Sequence, residues 1–239
     1  MTILSLQDVS KSYGALTVTD GVSFDVAESE ALGIIGPNGA GKSTLFNLVT
    51  GNVRADQGTI RFAGTDVTRM PVRTRCLMGI GRSFQIPQPF GGLTVFENLL
   101  VAGTGGRGLG EREVAADCAD ILRRTGLERR ANALAGGLPL LDRKRLELAR
   151  ALATRPRLLL LDEIAGGLTE GECASLVETI RSIHAEGVTI VWIEHVLHAL
   201  QAVAQRLLVL DFGRVIGLGE PEAIMRSPEV REVYLGIEI

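Results

Sequence analysis

The sequence lacks the features that mark membrane-spanning, disulfide-bonded and nucleic-acid-coating proteins. No apolar run in its 239 residues reaches the roughly 18 that a membrane-spanning helix needs. Three widely spaced cysteines, Cys76, Cys118 and Cys173, argue against a disulfide framework or a structural zinc site. A formal net charge of −3 argues against a broad nucleic-acid-binding surface. The start of the sequence, residues 1–4, lacks the charged segment followed by an apolar stretch that marks a signal peptide, so we expect none.

The sequence does contain enough apolar residues, 46%, for a sizeable core. Short apolar runs predict strands near both ends of the chain, at 3–9, 22–26, 31–36, 58–64, 157–163, 187–195 and 206–219. From about residue 95 to 153 the period is helical and strand patterns are absent. Helical patterns also separate the later strands, as parallel β-α-β units require. We therefore predict an α/β chain with one sheet-based core, which a helical insertion interrupts.

The insertion contains a glycine-rich stretch, GTGGRGLG, at residues 103–110. Glycine-rich segments are flexible chain connectors more often than ligand sites. We therefore expect a flexible connector at this point.

The stretch GPNGAGKST, residues 36–44, matches the phosphate-binding pattern G-x-x-x-x-G-K-[ST]. Glycines let successive backbone N–H groups wrap a triphosphate, and the helix that follows points its positive dipole end at the phosphates. A chance match in a turn is the alternative, but this stretch follows an apolar strand and opens an amphipathic helix. The candidate nucleotide-binding residues are Gly36, Pro37, Asn38, Gly39, Ala40, Gly41, Lys42, Ser43 and Thr44. Among them, Lys42 would reach the β- and γ-phosphates, and the Ser43 hydroxyl would bind Mg²⁺.

A second pattern, LLLLDE at residues 158–163, is an apolar strand that ends in two acids. Asp162 at a strand end can hold Mg²⁺, and Glu163 can polarise the attacking water as a general base. The alternative is an ordinary pair of acids that ends a strand. Together with the glycine loop, the pair predicts ATP hydrolysis.

With both motifs present, the chain resembles an ABC transporter ATPase over nearly its whole length. The resemblance implies one ABC ATPase domain over 1–239, with a P-loop NTPase core of mostly parallel sheet and an N-terminal antiparallel β subdomain. The core with its β subdomain would span 1–85 and 155–239, and an inserted helical subdomain would span 86–154.

The resemblance also implies roles for three further residues. Tyr13, in SKSYGA, matches the aromatic residue that stacks on adenine, although it could instead pack on the small N-terminal sheet. Gln85, in GRSFQ, matches the glutamine that senses Mg²⁺ and the γ-phosphate. His195, at the end of TIVWIEH, matches the switch histidine that contacts the γ-phosphate. The alternative is a histidine at a strand end that only forms hydrogen bonds within the protein. The implied catalytic residues are thus Glu163, His195 and Lys42, and the implied Mg²⁺ ligands are Ser43, Gln85 and Asp162.

Within the family, the chain is most similar to importer ATPases of the branched-chain amino acid class. The segments RSFQ…LTVFENLLVA, AGGLTEGE and IEHV and the C-terminal VYLG (233–236) carry this similarity. Urea and amide importers share most of these features, and lipopolysaccharide-export ATPases are also similar. A soluble ABC ATPase that remodels DNA or ribosomes is the rival from another class, but such proteins usually have two cassettes or a long coiled coil.

The importer resemblance implies partners and a location. The partners are integral membrane permease subunits, a second ATPase subunit and, indirectly, a periplasmic binding protein, with no nucleic acid. Residues 86–93, IPQPFGGL, are candidate permease contacts, unless they are only a proline-rich surface loop. The implied location is the cytoplasmic face of the inner membrane, where the chain would be a peripheral protein without a transmembrane segment.

The chain departs from the family at the signature loop, L-S-G-G-Q, which caps the partner subunit's ATP. Counting back from the helix pattern RKRLELARAL and from Asp162 places this loop at residues 138–142, LPLLD. The family's serine is then Pro139, and both glycines are leucines. Alternatively, LAGGL at 134–138, one helical turn upstream, forms the cap. Counting favours a degenerate loop, and it predicts a heterodimer with a more regular second ATPase subunit.

Overall fold

A computed structural model of the chain describes residues 1–235, in which the strands form two sheets. Gly236, the last residue of the VYLG segment, lies outside the described residues. The strands are β1 (Thr2–Tyr13), β2 (Leu16–Ala27), β3 (Ala31–Ile35), β4 (Gln57–Phe62), β5 (Thr65–Asp66), β6 (Ile80–Arg82), β7 (Leu158–Asp162), β8 (Thr189–Ile193), β9 (Arg206–Asp211) and β10 (Arg214–Gly219). The helices are α1 (Lys42–Thr50), α2 (Val72–Met78), α3 (Val95–Arg107), α4 (Glu111–Arg124), α5 (Leu140–Ala153), α6 (Glu170–Ala185), α7 (Leu197–Gln201), α8 (Pro221–Arg226) and α9 (Pro228–Leu235).

The smaller sheet is antiparallel, with strand order β2-β1-β4-β5. The larger sheet has the order β10-β9-β3-β8-β7-β6 and is parallel except for β10. All residues of β3, β7 and β8 are buried, because layers of structure cover both faces of this sheet. The antiparallel sheet and the parallel sheet are those that the sequence and the family resemblance predict.

The strand order of the larger sheet determines where the predicted site segments meet. Parallel strands place their carboxyl ends at one edge of a sheet. The phosphate loop follows β3, His195 comes soon after β8, Glu163 follows β7, and Gln85 comes soon after β6. Because β3, β8, β7 and β6 are consecutive neighbours, all four segments emerge side by side.

Two hydrophobic clusters lie on opposite faces of the larger sheet. Ile34 of β3 belongs to the cluster shared with the antiparallel sheet, whereas the next residue, Ile35, belongs to the cluster shared with the helices. Both side chains are fully buried, and burial of such a side chain stabilises the fold by about 1.5–3 kcal/mol. The two clusters therefore hold β3, and with it the start of the phosphate loop, from both sides.

Helices α3, α4 and α5 occupy the segment between β6 and β7, where the sequence predicts a helical insertion. Helix α3 begins at a capping box, in which Thr94 and Glu97 each accept a hydrogen bond from the other's backbone N–H. An isolated β-bridge joins Thr94 to Leu134. The subdomain boundaries at residues 86 and 154 stay a prediction.

The expectation of a flexible connector over residues 103–110 is wrong for most of that stretch. Helix α3 continues to Arg107, and only 108–110 separate it from α4. Close packing explains why glycines occur inside this helix: a Cβ at Gly106 would lie 2.5 Å from Thr154 Cγ2, and one at Gly103 would lie 3.3 Å from Val114 Cβ. The glycines allow α3 to approach its neighbours closely.

Among the helices of residues 1–235, none combines the length and the apolar character needed to cross a membrane.

Candidate nucleotide-binding site

The phosphate loop joins buried strand β3 to helix α1. Two of its glycines are required because any side chain would clash with neighbouring backbone. A Cβ at Gly36 would lie 2.1 Å from the Leu210 carbonyl oxygen, and a Cβ at Gly41 would lie 2.4 Å from the Val18 carbonyl oxygen. Gly41 also has φ +99° and forms the N-cap of α1. The backbone N–H groups of the first turn of α1 have no partner within the helix, so this end suits an anion.

Lys42, the first residue of α1, folds back over the loop. Its ammonium donates hydrogen bonds to the carbonyl oxygens of Gly36, at 2.7 Å, and Pro37, at 2.9 Å. Burial lowers the pKa of Lys42, and the carboxylates of Glu163 and Asp162 oppose that shift. The two carbonyl oxygens thus hold the ammonium at the loop that the sequence predicts to bind phosphates.

Glu163 directly follows β7 in an unusual backbone conformation. Its φ is +44°, in the left-handed region, which costs a non-glycine residue about 1–3 kcal/mol. Its N–H donates to the Ile193 carbonyl at 2.8 Å, and its carboxylate accepts from Gln85 Nε2 at 2.5 Å. The structure therefore brings together Gln85 and Glu163, which lie 78 positions apart in the sequence.

His195 also lies beside Glu163, with its Nδ1 3.9 Å from Glu163 Oε2. Its ring is 59% exposed. The preceding residue, Glu194, is buried, and its carboxylate accepts hydrogen bonds from the N–H groups of Ala165 and His195, both at 3.0 Å. Glu194 thus joins the backbone that follows Glu163 to the backbone that carries His195. Glu194 is not among the residues predicted from the sequence, although its position next to His195 was a usable signal.

Asp162, at the end of β7, forms a buried ion pair with Arg82 of β6. Arg82 Nη2 lies 2.7 Å from Asp162 Oδ2, and Arg82 Nη1 donates to Asn47 Oδ1, also at 2.7 Å. The rings of Phe46 and Phe84 lie 5.5 Å and 5.0 Å from the guanidinium carbon. No local sequence pattern marks Arg82, because its partner Asp162 is 80 positions away.

Two adjoining cavities connect these groups. The first, about 310 Å³, is lined by Val18, Asn38, Gly39, Gly41, Lys42, Ser43, Thr44, Gln85 and Glu163. The second, about 430 Å³, is lined by Ser43, Phe84, Gln85, Ile86, Gln88, Glu147, Arg150 and Asp162. Ser43 and Gln85 line both, so the predicted phosphate-binding and Mg²⁺-binding groups lie next to one another.

Tyr13 ends β1 and stands apart from the linings of these two cavities as residues 1–235 form them. About half of its surface is exposed, and the Lys11 ammonium lies 5.3 Å from the ring centre. A ring with a free face can stack on a base. The adenine role of Tyr13 therefore stays a prediction.

The two candidate signature segments differ in their hydrogen bonding. In 134–138 the N–H groups of Ala135 and Gly136 donate to the carbonyls of Leu93 and Gly91, and those of Gly137 and Leu138 donate within the segment. These four donors are therefore already used. Residues 138–142, in contrast, span the N-terminus of α5, which begins at Leu140 with Pro139 as its N-cap. Which of the two segments caps a nucleotide stays a prediction.

Comparison with known proteins identifies the family. The model of the family described as "ABC transporter" matches residues 19–166, more than half of the chain. The chain is 36% identical over 253 residues to the probable branched-chain amino acid transport ATP-binding protein LivG of Archaeoglobus fulgidus, covering 100% of this chain and 97% of that protein. It is 34% identical over 249 residues to the high-affinity branched-chain amino acid transport ATP-binding protein BraF of Pseudomonas aeruginosa, covering 98% of each. It is also 33% identical over 240 residues to the lipopolysaccharide export system ATP-binding protein LptB of Haemophilus influenzae, covering 99% of this chain and 98% of that protein.

Solved structures agree with these relatives. A nucleotide-free ATP-binding cassette from an ABC transporter matches with a TM-score of 0.91 at 32% identity, covering 99% of this chain and 100% of that chain. The ADP conformation of an ATP-binding cassette of an ABC transporter matches with a TM-score of 0.90, also at 32% identity and with the same coverage. The chain therefore belongs to the ABC transporter family, as an ATP-binding and ATP-hydrolysing subunit.

Proposed function

We propose that this chain energises an importer of branched-chain amino acids or related small polar solutes, such as urea and amides, through a membrane permease. The relatives from Archaeoglobus fulgidus and Pseudomonas aeruginosa that carry branched-chain amino acid transport in their names support this cargo class. The observation that carries the chemistry is the cavity in which Lys42, Ser43, Gln85 and Glu163 meet.

In the proposed reaction, residues 36–44 bind the phosphates of ATP and Tyr13 stacks on adenine. Lys42 exchanges its two carbonyl partners for phosphate oxygens and stabilises the charge that develops on the γ-phosphate. Glu163 leaves the Gln85 amide and takes a proton from the attacking water, while His195 contacts the γ-phosphate. The hydrogen bond between Gln85 and Glu163 thus has to open before hydrolysis.

The residues present fit a magnesium ion. Mg²⁺ prefers oxygen ligands, and Ser43, Gln85 and Asp162, which line the same cavity, offer a hydroxyl, an amide oxygen and a carboxylate. When bound, the ion would supply charge neutralisation at the phosphates. Arg82 holds Asp162 through Oδ2, which leaves Oδ1 as the oxygen for metal or water.

The Glu163→Gln variant tests the role of Glu163. Glutamine has nearly the same shape but is a poor base, so we expect MgATP binding to be retained and turnover to fall by about 10²-fold or more. The measurement is phosphate release and nucleotide binding by the purified transporter complex. Glu178→Gln, at a side chain of α6 that is 66% exposed, is the matched control and should change neither. Wild-type turnover by Glu163→Gln would exclude Glu163 as the base.

We propose that the permease docks beside the Gln85 loop, at the cytoplasmic face of the inner membrane. Phe84, Ile86 and Phe90 are large apolar side chains exposed along this loop. Exposed apolar side chains next to a groove are typical of a protein interface. Crosslinking through cysteines introduced at Ile86 and Phe90 tests this position, because a site elsewhere would give no permease adduct.

Export of lipopolysaccharide is the second candidate, since the Haemophilus influenzae relative named for that system is about as similar as the importer relatives. The two functions differ in their permease and in the direction of transport. Purification of the chain from detergent-solubilised membranes, with identification of the co-purifying permease, separates them. Uptake of radiolabelled leucine, isoleucine, valine and urea by a deletion strain then tests the cargo: unchanged uptake of all four would contradict the importer proposal.

We also propose that the chain works with a second ATPase subunit, and we favour a heterodimer. Helix α5 begins Pro139-Leu140-Leu141, so the N-cap lacks a hydroxyl and an N–H, and two leucines take the places of the family's glycines. Such a helix end would cap a partner's ATP poorly. A partner with a regular signature loop would keep one complete site, at this chain's own phosphate loop.

A further inference from the structure

Lys144 is a buried cation that the proposed reaction does not use. It lies on α5, 4% exposed, and its ammonium donates hydrogen bonds to the Gln85 carbonyl oxygen at 2.7 Å and to the Glu163 carbonyl oxygen at 3.3 Å. Both acceptors are main-chain atoms, and both belong to residues of the hydrolytic site. Lys144 therefore connects α5 to two site segments that follow different strands.

A third hydrogen bond closes a ring among these residues. Gln85 Nε2 donates to Glu163 Oε2, so the three residues contact one another in pairs. The bond between Gln85 and Glu163 joins side chains and has to open during the reaction. The two bonds of Lys144 involve main-chain oxygens, so they can persist while those side chains move.

The backbone of Glu163 needs such support. Its φ of +44° is disfavoured for a residue with a side chain, and surrounding contacts have to maintain it. The Glu163 carbonyl accepts from Lys144 Nζ and from the Gly166 N–H, at 3.3 Å each. Lys144 is thus one of two donors that keep this carbonyl, and with it the direction of the Glu163 side chain, in place.

Helix α5 holds the Gln85 loop at further points on the same face. Arg150 Nη1 donates to the Gln88 carbonyl at 3.0 Å and lies 2.9 Å from Glu147 Oε2. Residues 144, 147 and 150 are three apart, so their side chains line one side of the helix. The loop is therefore attached to α5 along its main chain, and Lys144 is the contact that also reaches Glu163.

We infer that Lys144 is a positioning residue for ATP hydrolysis, which fixes the main chain of Gln85 and Glu163 while their side chains exchange partners. The inference rests on the proposed role of Glu163 as the base. It predicts that loss of the two hydrogen bonds impairs the chemical step more than nucleotide binding, because the phosphate loop makes no use of Lys144.

The Lys144→Met variant tests the inference, because methionine keeps the stem length and removes all donors. In the transporter complex we expect kcat to fall on the order of tenfold to a hundredfold, as a displacement of the base of about 1 Å would cause. The MgATP dissociation constant should stay within about twofold, because Lys42 and the loop N–H groups bind the phosphates. In the chain without nucleotide, amide hydrogen exchange over residues 84–88 should accelerate.

Two further variants make the result specific. Lys144→Arg retains a cation with several donors and should recover part of the lost kcat. Arg145→Met removes the neighbouring cation on α5, whose guanidinium donates to Ser175 of α6 at 2.7 Å, and should leave kcat and the exchange of 84–88 unchanged.

Several outcomes would overturn the inference. These are wild-type kcat in Lys144→Met, a parallel loss of kcat, MgATP affinity and melting temperature, or Lys144→Arg no more active than Lys144→Met. Glu163→Gln, measured in the same experiment, separates the two proposals. If it loses turnover while Lys144→Met keeps it, only the role of Lys144 fails; if it keeps turnover, the role of Glu163 itself fails.

Discussion

At the scale of single residues, the ion pair of Arg82 and Asp162 shows how the site is built before any ligand binds. Both side chains are over 90% buried, and removing two charges from water is costly. The guanidinium offsets that cost by bonding both Asp162 and Asn47 and by contacting the rings of Phe46 and Phe84. The pair therefore holds the end of β7 against β6 and α1.

We predict that Arg82→Met destabilises the fold by about 3–5 kcal/mol, because it leaves the Asp162 carboxylate buried without its partner. Arg82→Lys should lose less, although one ammonium cannot reproduce the planar fork that bonds Asp162 and Asn47 together. Urea-induced unfolding gives the free energies.

The matched control is Arg226→Met, which removes the cation of an exposed ion pair with Glu222, whose side chains are 81% and 84% exposed. It should cost less than about 1 kcal/mol. If Arg82→Met cost no more than this control, the buried pair would not hold β7 and β6 together.

Local sequence patterns pick out some of the residues that meet at the candidate site and not others, for a physical reason. Lys42, Ser43, Asp162 and Glu163 belong to recognisable local patterns at strand ends, because a phosphate loop and a strand-ending acid pair are built from adjacent residues. Arg82 and Lys144 act through partners in other segments. Their roles depend on strand order and on side-chain burial, which no local pattern encodes.

At the scale of elements, α3 is a helix that its local glycine content does not predict. Three glycines within four positions predict a poor helix, since each costs up to about 1 kcal/mol relative to alanine. Tertiary contacts nevertheless keep residues 103–107 helical, because the glycines let α3 pack closely on α4 and on the end of α5. The sequence located the helical segment between β6 and β7 but not this close approach.

We predict opposite effects for alanine at two adjacent glycines of α3. Gly105 faces open space, so Gly105→Ala should stabilise the fold by about 0.5–1 kcal/mol through helix propensity. Gly106→Ala should destabilise the fold by about 1–3 kcal/mol, because its Cβ would lie 2.5 Å from Thr154 Cγ2 and 2.8 Å from Thr154 Cβ. Threonine is β-branched and stiff at χ1, so its side chain cannot easily rotate to relieve these contacts.

Thermal or urea unfolding of the two variants measures both effects, and each serves as the control for the other. A stabilising Gly106→Ala would show that α3 is not held against Thr154 by close packing. A Gly106→Ala, Thr154→Gly double variant should recover part of the loss, because it removes the clashing methyl and Cβ.

At the scale of the whole molecule, the site depends on the order of four parallel strands. The sequence predicts most of these strands individually, and the family resemblance supplies the core in which they neighbour one another. Their order places Lys42, His195, Glu163 and Gln85 at one sheet edge, where Lys144 of α5 contacts the main chain of Gln85 and Glu163. The first half of that helix carries Lys144, which serves this chain's own site, and its N-terminus lies within residues 138–142, which we interpret as a degenerate signature loop.

This asymmetry leads to a prediction for the assembled protein. The chain alone should bind MgATP, because its phosphate loop is complete, but a homodimer would present two poor caps, Pro139-Leu140-Leu141, to its two nucleotides. We expect slow turnover by this homodimer, with a Hill coefficient of about 1.

Addition of the second ATPase subunit from the same transporter should accelerate turnover. Glu163→Gln in this chain should abolish most of that gain, because the complete site uses this chain's base. Cooperative turnover by the purified homodimer at the rate of the full complex would refute the degenerate-loop interpretation.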